Sequence, residues 1–402
     1  MTAARPFTVR LLNTYEPVTT FYRDLVPHWL EQGWRVEVVM SRAEYRPGRE
    51  KGWAQSGARL RWTPGSGLRP DGRWRKRLIM LLYALGAMVQ TLLSPTVDRN
   101  LFLTQPPLFY LWGAVLRALR GQPYFVVLMD LHPDLAVRAG LLPESGALTR
   151  LLRQLAAWGL RRADGVIVIG RCMRREVLEL GLDPQRVHFI PNWADEETIV
   201  PVVHTHNRFR AAQGWNGRFV VLYSGNMGAP HFFDDILEAS RRLQACRVLR
   251  FVFIGRGRRL KQIARFREIH GLQNVELLPF QPFERLPQSL GAADLHFVSL
   301  RPGFEGLVVP SKAYGILAAG RPLLYQGSEE GELAQMIAEE HVGWVVPAGD
   351  PQALQEVLLS YLRRPELAAE QGRRARRLAE STYGKQNAIR RYTTVLSDIS
   401  GQ

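Results

Sequence analysis

Short apolar stretches of strand length alternate with amphipathic helical stretches along most of this chain. In the first half, FTVRLLN and RVEVVMS flank an amphipathic segment around FYRDLVPHWLEQG. Strand, helix and strand in this order predict a parallel sheet. Further strands are predicted at NLFLTQ, PYFVVLMD and GVIVIG, with helices at 108–119 and 149–162. Residues 45–74 are rich in Gly, Arg and Pro, and they predict a long loop or a partly ordered insertion.

The second half repeats this alternation and needs a sheet of its own. Its strands are predicted at FVVLYSGN, VLRFVFIG, VELLPF, DLHFVSL, PLLYQG and VGWVVPAG. Helices are predicted at 234–245, at 260–270, from Pro310, at 332–340, and throughout the chain from Pro351. The polar stretch 192–215 has no clear period and marks a boundary. We therefore predict an α/β fold of two Rossmann-like domains, residues 1–195 and 196–380, followed by a terminal helix at 381–402.

Length and composition fit two soluble globular domains. The chain has 402 residues, of which 46% are hydrophobic and 22% are charged, and this length exceeds one ordinary core. Cys172 and Cys246 lie far apart and fit no metal or redox spacing, which favours free thiols in a reducing cytosol. The N-terminal sequence lacks the basic head, apolar core and cleavage site of a secretory signal, so we expect a cytoplasmic location.

The net charge of +16 points to anionic partners. Such a field attracts nucleic acid, anionic lipid or phosphorylated substrates. Arginine enrichment can also follow from genomic base composition, so the charge is weak evidence for a binding role. A solvated basic surface without a partner is the alternative interpretation. The sequence shows no RNA-binding motif and no interleaving of aromatic and basic residues, so we expect no nucleic-acid partner.

The most apolar run of the chain is Leu78 to Leu93, which is shorter than the ~20 residues of a membrane-spanning helix. It directly follows the basic stretch Arg73 to Arg77, which includes Trp74. This order is typical of a helix that lies in a membrane interface. A buried helix with a charged lead-in fits the pattern slightly better. The lead-in alone could touch an anionic membrane, so peripheral attachment to the inner face of the cell membrane remains an open alternative.

Candidate chemistry lies after the strands of the second domain, because doubly wound sheets bind ligands at the carboxyl ends of their strands. Gly225 and Gly228 follow the first of these strands and allow the backbone to approach a ligand closely. The next strand ends in GRGRRLK, whose amides and cations could hold a phosphate. This segment is not a P-loop, because it lacks the Gly-Lys-Ser/Thr ending. Plain turns with solvated charges explain both segments as well.

The most informative stretch is DLHFVSLRPGFEGLVVPSKAYGILAAGRP, residues 294–322. A Gly-containing loop follows the strand, and a helix is predicted from Pro310, with Ser311 and Lys312 in its first turn. Free amides at a helix start together with Lys312 would suit a diphosphate. A lysine in this position opposes the helix dipole, which makes a purely structural role less favourable.

Several segments resemble the retaining glycosyltransferases of family four, which have the fold called GT-B. The resemblance rests on IPNWAD, LYSGNMG, AADLHFVSL, VPSKAYGILAAGRP and VGWVVPAGDPQAL. It is nearest to the bacterial exopolysaccharide and O-antigen transferases of the colanic-acid and fucosamine-transferase type. The resemblance implies two domains that face each other across a cleft, and a crossover helix around residues 383–399 that returns to the N-terminal domain. It covers nearly the whole chain and is more specific in the C-terminal half.

By this resemblance, the second domain would bind a nucleoside-diphosphate sugar. The donor-binding residues that the resemblance implies lie after its strands: Gly225, Asn226, Gly228, Phe304, Gly306, Val309, Pro310, Ser311 and Lys312. Glu305 would accept hydrogen bonds from sugar hydroxyls and is included among the catalytic candidates. A solvated loop carboxylate is its structural alternative.

The chain departs from the family pattern in two places. The family often has two glutamates separated by seven residues, and Leu307 and Gly315 stand at those positions here. The family also uses an arginine and a lysine after the first strand of this domain. Asn226 replaces the arginine, and the lysine position falls at Ala229, Pro230 or His231. Arg256, Lys261, Arg301 and Lys312 are the substitute cations that we propose.

The resemblance implies that the first domain binds the acceptor. The strand PYFVVLMD leads into DLHPD, where the family has an acidic segment that faces the cleft. Asp130 is the candidate for contacting the acceptor hydroxyl or assisting its deprotonation, and His132 is the alternative base. Asp134 and Glu16 are candidate acceptor-binding residues.

The implied reaction transfers a sugar from a nucleoside diphosphate to an acceptor hydroxyl with retention of configuration. Cations and amides would stabilise the leaving diphosphate, and the absence of an Asp-x-Asp motif predicts no metal site and no cofactor besides the donor substrate. The implied acceptor is a growing glycan or a lipid-linked glycan in cell-surface polysaccharide synthesis. Two alternatives remain: a UDP-sugar 2-epimerase of the same fold, and a non-catalytic protein that binds membranes or nucleic acid on a degenerate transferase scaffold.

Overall fold

Two parallel sheets organise the chain, one in each of two units. The first unit comprises Met1–Pro191 together with Ala388–Gln402, and the second comprises Asn192–Asn387. The structure, a computed structural model, describes residues 5–13, 19–41, 57–63 and 73–398. The boundaries predicted from the sequence were after residues 195 and 380. The first lies slightly later than the observed boundary after Pro191, and the second lies slightly earlier than the observed boundary after Asn387.

Within the described residues, the sheet of the first unit has seven strands in the order β3-β2-β1-β4-β5-β6-β7, and every neighbouring pair is parallel. Its strands are β1 (Thr8–Leu12), β2 (Arg35–Ser41), β3 (Arg59–Thr63), β4 (Arg99–Leu103), β5 (Tyr124–Leu128), β6 (Gly165–Val168) and β7 (Val187–Phe189). Its helices are α1 (Thr19–Glu31), α2 (Arg73–Leu93), α3 (Leu111–Arg120), α4 (Asp134–Arg138), α5 (Ala147–Arg161) and α6 (Arg171–Glu179). The central strands are fully buried, as expected when helices cover both faces of a parallel sheet.

One strand of this sheet lies inside the stretch that the sequence predicted as a loop. β3 pairs with β2 from Glu37↔Arg59 to Ser41↔Thr63. Its sequence RLRWT has no apolar run, because an edge strand can leave charged side chains partly in water. Glu37 pairs with Arg61 at 3.1 Å and with the fully buried Arg10 at 3.0 Å. The loop prediction was therefore wrong at 59–63, while residues 42–56 and 64–72 lie outside the described part of the chain.

The apolar run of the sequence belongs to α2, which has two apolar sides. Ile79, Tyr83 and Ala87 are spaced four residues apart and are buried against the sheet. Leu81, Leu85 and Val89 lie on the opposite side and are exposed. Among the helices that the structure describes, none combines the length and apolarity needed to cross a membrane.

The sheet of the second unit has six parallel strands in the order β10-β9-β8-β11-β12-β13. These strands are β8 (Phe219–Asn226), β9 (Leu249–Arg256), β10 (Val275–Leu278), β11 (Leu295–Ser299), β12 (Leu323–Gln326) and β13 (Gly343–Val346). The helices are α7 (Arg208–Ala212), α8 (Asp234–Arg242), α9 (Leu260–Ile269), α10 (Leu286–Gly291), α11 (Lys312–Ala318), α12 (Glu332–Glu340), α13 (Pro351–Arg363), α14 (Glu366–Glu380) and α15 (Lys385–Ser397). The strand order is the one predicted, but the sequence did not predict the short helices α7 and α10. The C-terminal segment, predicted as helical throughout, is three helices with breaks at 364–365 and 381–384.

The last helix, α15, begins in the second unit and continues into the first. Within the first unit, Thr393 accepts a hydrogen bond from Trp29 Nε1 at 3.0 Å. The rings of Tyr392 and Phe21 meet edge to face at 5.2 Å. Arg99 Nε donates to the carbonyl of Leu396 at 3.1 Å. These contacts attach the end of the chain to α1 and β4.

A glycine allows α14 to lie directly against the turn that ends α11. A Cβ on Gly372 would overlap the carbonyl oxygen of Gly320, which is a backbone atom and cannot rotate away. Gly320 has a positive φ of 64° and ends the helix in the left-handed conformation. The close approach therefore requires glycine at residue 372.

We predict that Gly372→Ala lowers the melting temperature by several degrees, measured by differential scanning calorimetry. Alanine in a helix normally stabilises by about 1 kcal/mol relative to glycine. The overlap with Gly320 should cost more than this, since overpacking typically costs about 1–3 kcal/mol. Arg373→Ala, at the exposed neighbouring position, is the control. A higher melting temperature for Gly372→Ala would contradict the packing described.

Candidate functional site

The carboxyl ends of β8 and β9 meet closely at one edge of the second sheet. The two strands stay paired up to Gly225↔Gly255 and Asn226↔Arg256. Gly225 and Gly255 have φ values of 135° and 148°, which side chains rarely allow. A Cβ on Gly255 would overlap the backbone of Gly225. Gly225, one of the two glycines predicted to let the backbone approach a ligand, therefore packs directly against Gly255 at the edge where ligands of such sheets bind.

Backbone hydrogen bonds continue this contact beyond the strands. The amide of Met227 donates to the carbonyl of Arg256 at 2.7 Å, and the amide of Arg259 donates to the carbonyl of Met227 at 3.2 Å. The Arg256 guanidinium lies over the ring of Phe280, 5.8 Å from its centroid. Arg256 and Lys261 are exposed, so these two predicted cations present their charges to solvent at this edge.

Lys312 lies over Gly225 and brings its amino group into a partly buried position. The methylene carbon next to its nitrogen is 3.5 Å from where a Cβ on Gly225 would be. Nζ stands 3.7 Å from the ring centroid of Tyr223 and donates a hydrogen bond to its hydroxyl. That hydroxyl in turn donates to the carbonyl of Asn226 at 2.8 Å. Tyr223 therefore links the lysine to the loop after β8, and the sequence analysis had not identified it.

His231 is the second neighbour of the lysine. Its Nδ1 lies 2.5 Å from the carbonyl oxygen of Ser299, so Nδ1 must carry the proton and donate. Nε2 is then an acceptor, 3.5 Å from Lys312 Nζ. Burial, and next the charge of Lys312, lower the pKa of His231 to about 3. The imidazole is therefore neutral at physiological pH. His231 is one of three residues that the sequence offered for the family's lysine position.

Burial lowers the pKa of Lys312 well below its ordinary value of 10.5. Among the ion pairs of the described residues, none joins Lys312 to a carboxylate. A desolvated ammonium without a counter-charge is unfavourable until an anion binds beside it. The cluster of Lys312, Tyr223 and His231 therefore has the electrostatics of an anion site.

The loop after β11 reaches the same edge. The amide of Arg301 donates to the carbonyl of Pro230 at 2.8 Å, which connects this loop to the one after β8. Glu305 folds back, so that Oε2 accepts a hydrogen bond from the amide of Gly303 at 2.7 Å. Its other oxygen, Oε1, is buried and has no hydrogen-bond partner among the described residues. A buried carboxylate oxygen in this state can accept a hydrogen bond from a ligand hydroxyl.

The remaining predicted donor residues support the loop rather than expose reactive groups. Phe304 and Val309 are only 3% and 4% exposed, so their side chains pack inside the unit. Gly306 has a positive φ of 73° and turns the chain. Pro310 and Ser311 precede α11, which begins at Lys312 and not at Pro310 as predicted. Ser311 is exposed and makes no side-chain cap to the helix.

The two positions where the family has glutamates are apolar in this unit. Leu307 is buried, and Gly315 lies inside α11, where an added Cβ would touch Leu290 at 3.4 Å. Neither position could reproduce a carboxylate contact. The carboxylate available in this loop is Glu305.

In the first unit, Asp130 and His132 follow β5 at the carboxyl edge of its sheet. Both side chains are half-buried. Burial raises the pKa of Asp130 to about 6. Burial also lowers the pKa of His132, and the charge of Asp134 opposes that shift. Asp130 can therefore change protonation state near neutral pH, which is the property a general base needs.

Asp134 stands close by in α4 and has a partner that the sequence did not reveal. Arg153 of α5 donates from Nε to Asp134 Oδ1 at 2.7 Å. This pairing orients the carboxylate and partly neutralises it. Glu16, the other predicted acceptor-binding residue, lies outside the described residues.

Two Rossmann-like units, each with a parallel sheet and polar groups at its carboxyl edge, define the GT-B class of fold. Residues 18–193 match the model of the glycosyl transferase 4-like domain, and residues 206–378 match that of the glycosyl transferases group 1. The chain therefore belongs to the family-four glycosyltransferases, as the resemblance of its motifs indicated.

Individual proteins agree with this assignment. WbjE of Pseudomonas aeruginosa, named a probable glycosyltransferase, is 32% identical over 260 residues, 63% of this chain and 64% of its own length. WcaI of Escherichia coli, named for colanic acid biosynthesis, is 28% identical over 304 residues, 74% of this chain and 72% of its own length. The crystal structure of Anabaena Alr3699/HepE with UDP and glucose has a TM-score of 0.72 at 15% identity, covering 98% of this chain and all of that one. At this identity the structural match shows the fold alone.

The desolvation of Lys312 predicts a pH-dependent stability. The pKa of Lys312 is lower in the folded protein than in the unfolded chain, so the unfolded chain binds more protons between the two pKa values. The wild-type protein should therefore become more stable as pH rises towards 10.5, and Lys312→Met should lack this gain. At pH 7 we expect Lys312→Met to be more stable by about 1–3 kcal/mol, the cost of an uncompensated buried polar group.

Chemical denaturation of both proteins from pH 7 to pH 10 measures this effect. The advantage of Lys312→Met should shrink as pH rises. Lys261→Met is the matched control, because that side chain is exposed. A stability difference between Lys312→Met and wild type that stays constant with pH would show that the lysine is not desolvated.

Proposed function

We propose that this protein transfers a sugar from a nucleoside-diphosphate sugar to an acceptor hydroxyl, with retention at the anomeric carbon. The observation that carries the proposal is the partly buried Lys312, held by Tyr223 and His231 beside the glycines of β8 and β9. Membership of the glycosyltransferase family supports the reaction class. The donor would bind to the second unit and the acceptor to the first.

Lys312 would bind the diphosphate of the donor. One of its N–H groups is used by Tyr223 and a second is directed to His231 Nε2, which leaves a third to donate to a phosphate oxygen. Negative charge develops on the diphosphate as the glycosidic bond breaks, and a preorganised cation in a poorly hydrated site stabilises that charge strongly. Arg256, Lys261 and Arg301 are exposed at the same edge and would attract the donor from solution.

Glu305 would bind the sugar. Its Oε1 is buried without a hydrogen-bond partner among the described residues, while Oε2 is fixed by the amide of Gly303. A sugar hydroxyl that donates to Oε1 would satisfy this atom. The contact would select sugars with a hydroxyl in that direction, because an analogue that lacks it would leave the carboxylate oxygen unpaired.

Asp130 would contact the acceptor hydroxyl and accept its proton. Its raised pKa, about 6, allows it to be ionised at neutral pH yet basic enough to assist deprotonation. His132, the alternative base, follows two residues later. Asp134, oriented by Arg153, would contribute to acceptor binding.

The acceptor that we propose is a growing or lipid-linked glycan in cell-surface polysaccharide synthesis. The names of the relatives support this choice, since WcaI is named for the biosynthesis of colanic acid. The basic composition of the chain also favours an anionic, lipid-linked substrate over a neutral soluble sugar. We further propose that the protein acts in the cytoplasm, at the inner face of the cell membrane.

We predict that one nucleotide series raises the melting temperature in a thermal-shift screen of UDP, GDP and ADP with their common sugars. Ligand at a hundred times its Kd should stabilise by about 2.7 kcal/mol. Lys312→Met should abolish the shift, because the diphosphate loses its buried cation. The control Arg364→Met removes an exposed cation at the end of α13, outside the site, and should keep the shift.

A shift that survives in Lys312→Met would contradict the role given to this lysine. If no nucleotide shifts the wild-type protein, donor binding itself is refuted. Once the donor is known, NMR of the product distinguishes retention from inversion through the coupling of the anomeric proton. Conversion of the donor sugar to its 2-epimer without an acceptor would identify an epimerase in place of a transferase.

We predict that the transfer rate falls as pH is lowered through about 6, because Asp130 becomes protonated there. The raised pKa means that the carboxylate is present above this pH and lost below it. Asp130→Asn should reduce kcat by about 100-fold to 10,000-fold, the usual contribution of a general base, and should remove the acid limb of the profile. Donor binding in the thermal-shift assay should stay unchanged. Glu144→Gln, an exposed carboxylate nearby, is the control. An acid limb that persists in Asp130→Asn would assign it to another group.

A further inference from the structure

The solvent side of α2 carries an apolar stripe in addition to its buried side. Leu81, Leu85 and Val89 are 55%, 52% and 57% exposed. They are spaced four residues apart and therefore lie on one face of the helix. Leu92 continues the stripe by three residues and is also exposed. A helix at the surface of a globular unit normally has polar residues on this side.

The outer side of α5 repeats the pattern. Leu148, Leu151, Leu155 and Trp158 follow one another at spacings of three and four residues, and all four are exposed. The inner side of the same helix is formed by other residues, including the buried Ala156. Two helices of one unit therefore each have a second, outward-facing apolar stripe.

These two helices are neighbours of α3 on the same side of the sheet. Trp112 Nε1 of α3 donates to the hydroxyl of Thr91 in α2 at 2.8 Å. On the other side of α3, an added Cβ on Gly159 of α5 would meet Leu111 and Tyr110. Leu119 of α3 is exposed as well. The outer sides of α2, α3 and α5 thus form one surface, which we call the three-helix face.

The charges of the three-helix face all have one sign. None of the three helices contains an Asp or Glu. Arg75 and Arg77, in the first turns of α2, are exposed beside the exposed Trp74. Tryptophan and arginine at the end of an apolar stripe are the residues that lie among lipid headgroups.

We propose that the three-helix face binds flat on an anionic lipid bilayer. The leucines and Val89 would enter the boundary between headgroups and acyl chains, and the arginines would pair with anionic headgroups. A second copy of the chain is the competing occupant. It fits less well, because a symmetric contact would bring two sets of positive charges together, and none of the three helices itself supplies a carboxylate to oppose them.

The topology relates this surface to the proposed acceptor site. α2 comes after β3, and α5 comes after β5 and the short helix α4, so both helices lie in connections that leave the carboxyl edge of the parallel sheet. Arg153, in the second turn of α5, pairs with Asp134 of α4 at 2.7 Å, which holds the first part of α5 close to this edge. Asp130 and His132 lie at that edge, directly after β5. A bilayer in contact with Trp74 and Leu148, at the starts of these helices, would be near the acceptor residues. The inference that this placement helps a lipid-linked acceptor to reach Asp130 rests on the proposed function. The inference that the three-helix face binds lipid does not.

Flotation of the full chain with vesicles tests the proposal. We expect binding to vesicles of phosphatidylcholine with 30% phosphatidylglycerol, and at least about tenfold weaker binding to phosphatidylcholine alone, since each basic residue near an anionic surface contributes several-fold. The triple variant Leu81→Ser, Leu85→Ser, Val89→Ser should lose about tenfold or more of the affinity. The charge variant Arg75→Glu, Arg77→Glu should lose binding to anionic vesicles selectively.

The matched control is Val248→Ser, Ile269→Ser, which removes exposed apolar residues from the second unit and should bind vesicles as the wild type does. The nucleotide thermal shift should be unchanged in every variant, which shows that they are folded and separates this proposal from the proposed transferase activity. Equal vesicle binding by the triple variant and the wild type, or no binding by either, would overturn the proposal. So would a wild-type dimer in sedimentation that the triple variant converts to a monomer without a change in vesicle binding.

Discussion

The desolvated ammonium of Lys312 is the constraint on which the arrangement of the second unit's site depends. A partly buried cation without a carboxylate partner costs free energy in the unliganded protein. The surrounding residues reduce that cost without cancelling the charge: Tyr223 offers a ring face and a hydroxyl oxygen, and His231 offers a lone pair. Gly225 has no side chain to displace the lysine. An anion that binds here would form the ion pair with Lys312 that no carboxylate of the described residues provides.

The neutral state of His231 belongs to the same arrangement. A protonated imidazole 3.5 Å from Lys312 would add a second buried charge of the same sign. Burial and the lysine instead lower its pKa to about 3, and the carbonyl of Ser299 fixes the tautomer that turns Nε2 to the lysine. The site therefore concentrates one positive charge in a poorly hydrated position. The arginines at the same edge act through water and are weakened by salt, so they contribute attraction at long range more than affinity.

The sequence predicted those parts of the structure whose signal is local. Buried strands such as β5 are continuous apolar runs, which predict strands directly. The rule that ligand loops follow the strands of such a sheet predicts that Gly225 and Lys312 lie at the same edge. β3 was missed because an edge strand with Arg59 and Arg61 has no such run. Tyr223 looked like an ordinary core residue of β8, since only its hydroxyl reaches the lysine. The pairing of Asp134 with Arg153 joins residues 19 positions apart and leaves no pattern in the sequence.

The two surfaces of the first unit follow from one topological rule. In a parallel sheet every crossover connection leaves from the carboxyl end of a strand, so the segments that lead into α2 and α5 share an edge with the residues that follow β5. Trp74, Arg75 and Arg77 lie in the first turns of α2, and Asp130 lies just after the end of β5. Apolar stripes on the outer sides of α2 and α5 begin at the same edge and run away from it. The surface proposed to bind lipid and the carboxylate proposed to receive a hydroxyl proton therefore lie at one edge of the sheet because of the order of strands and helices.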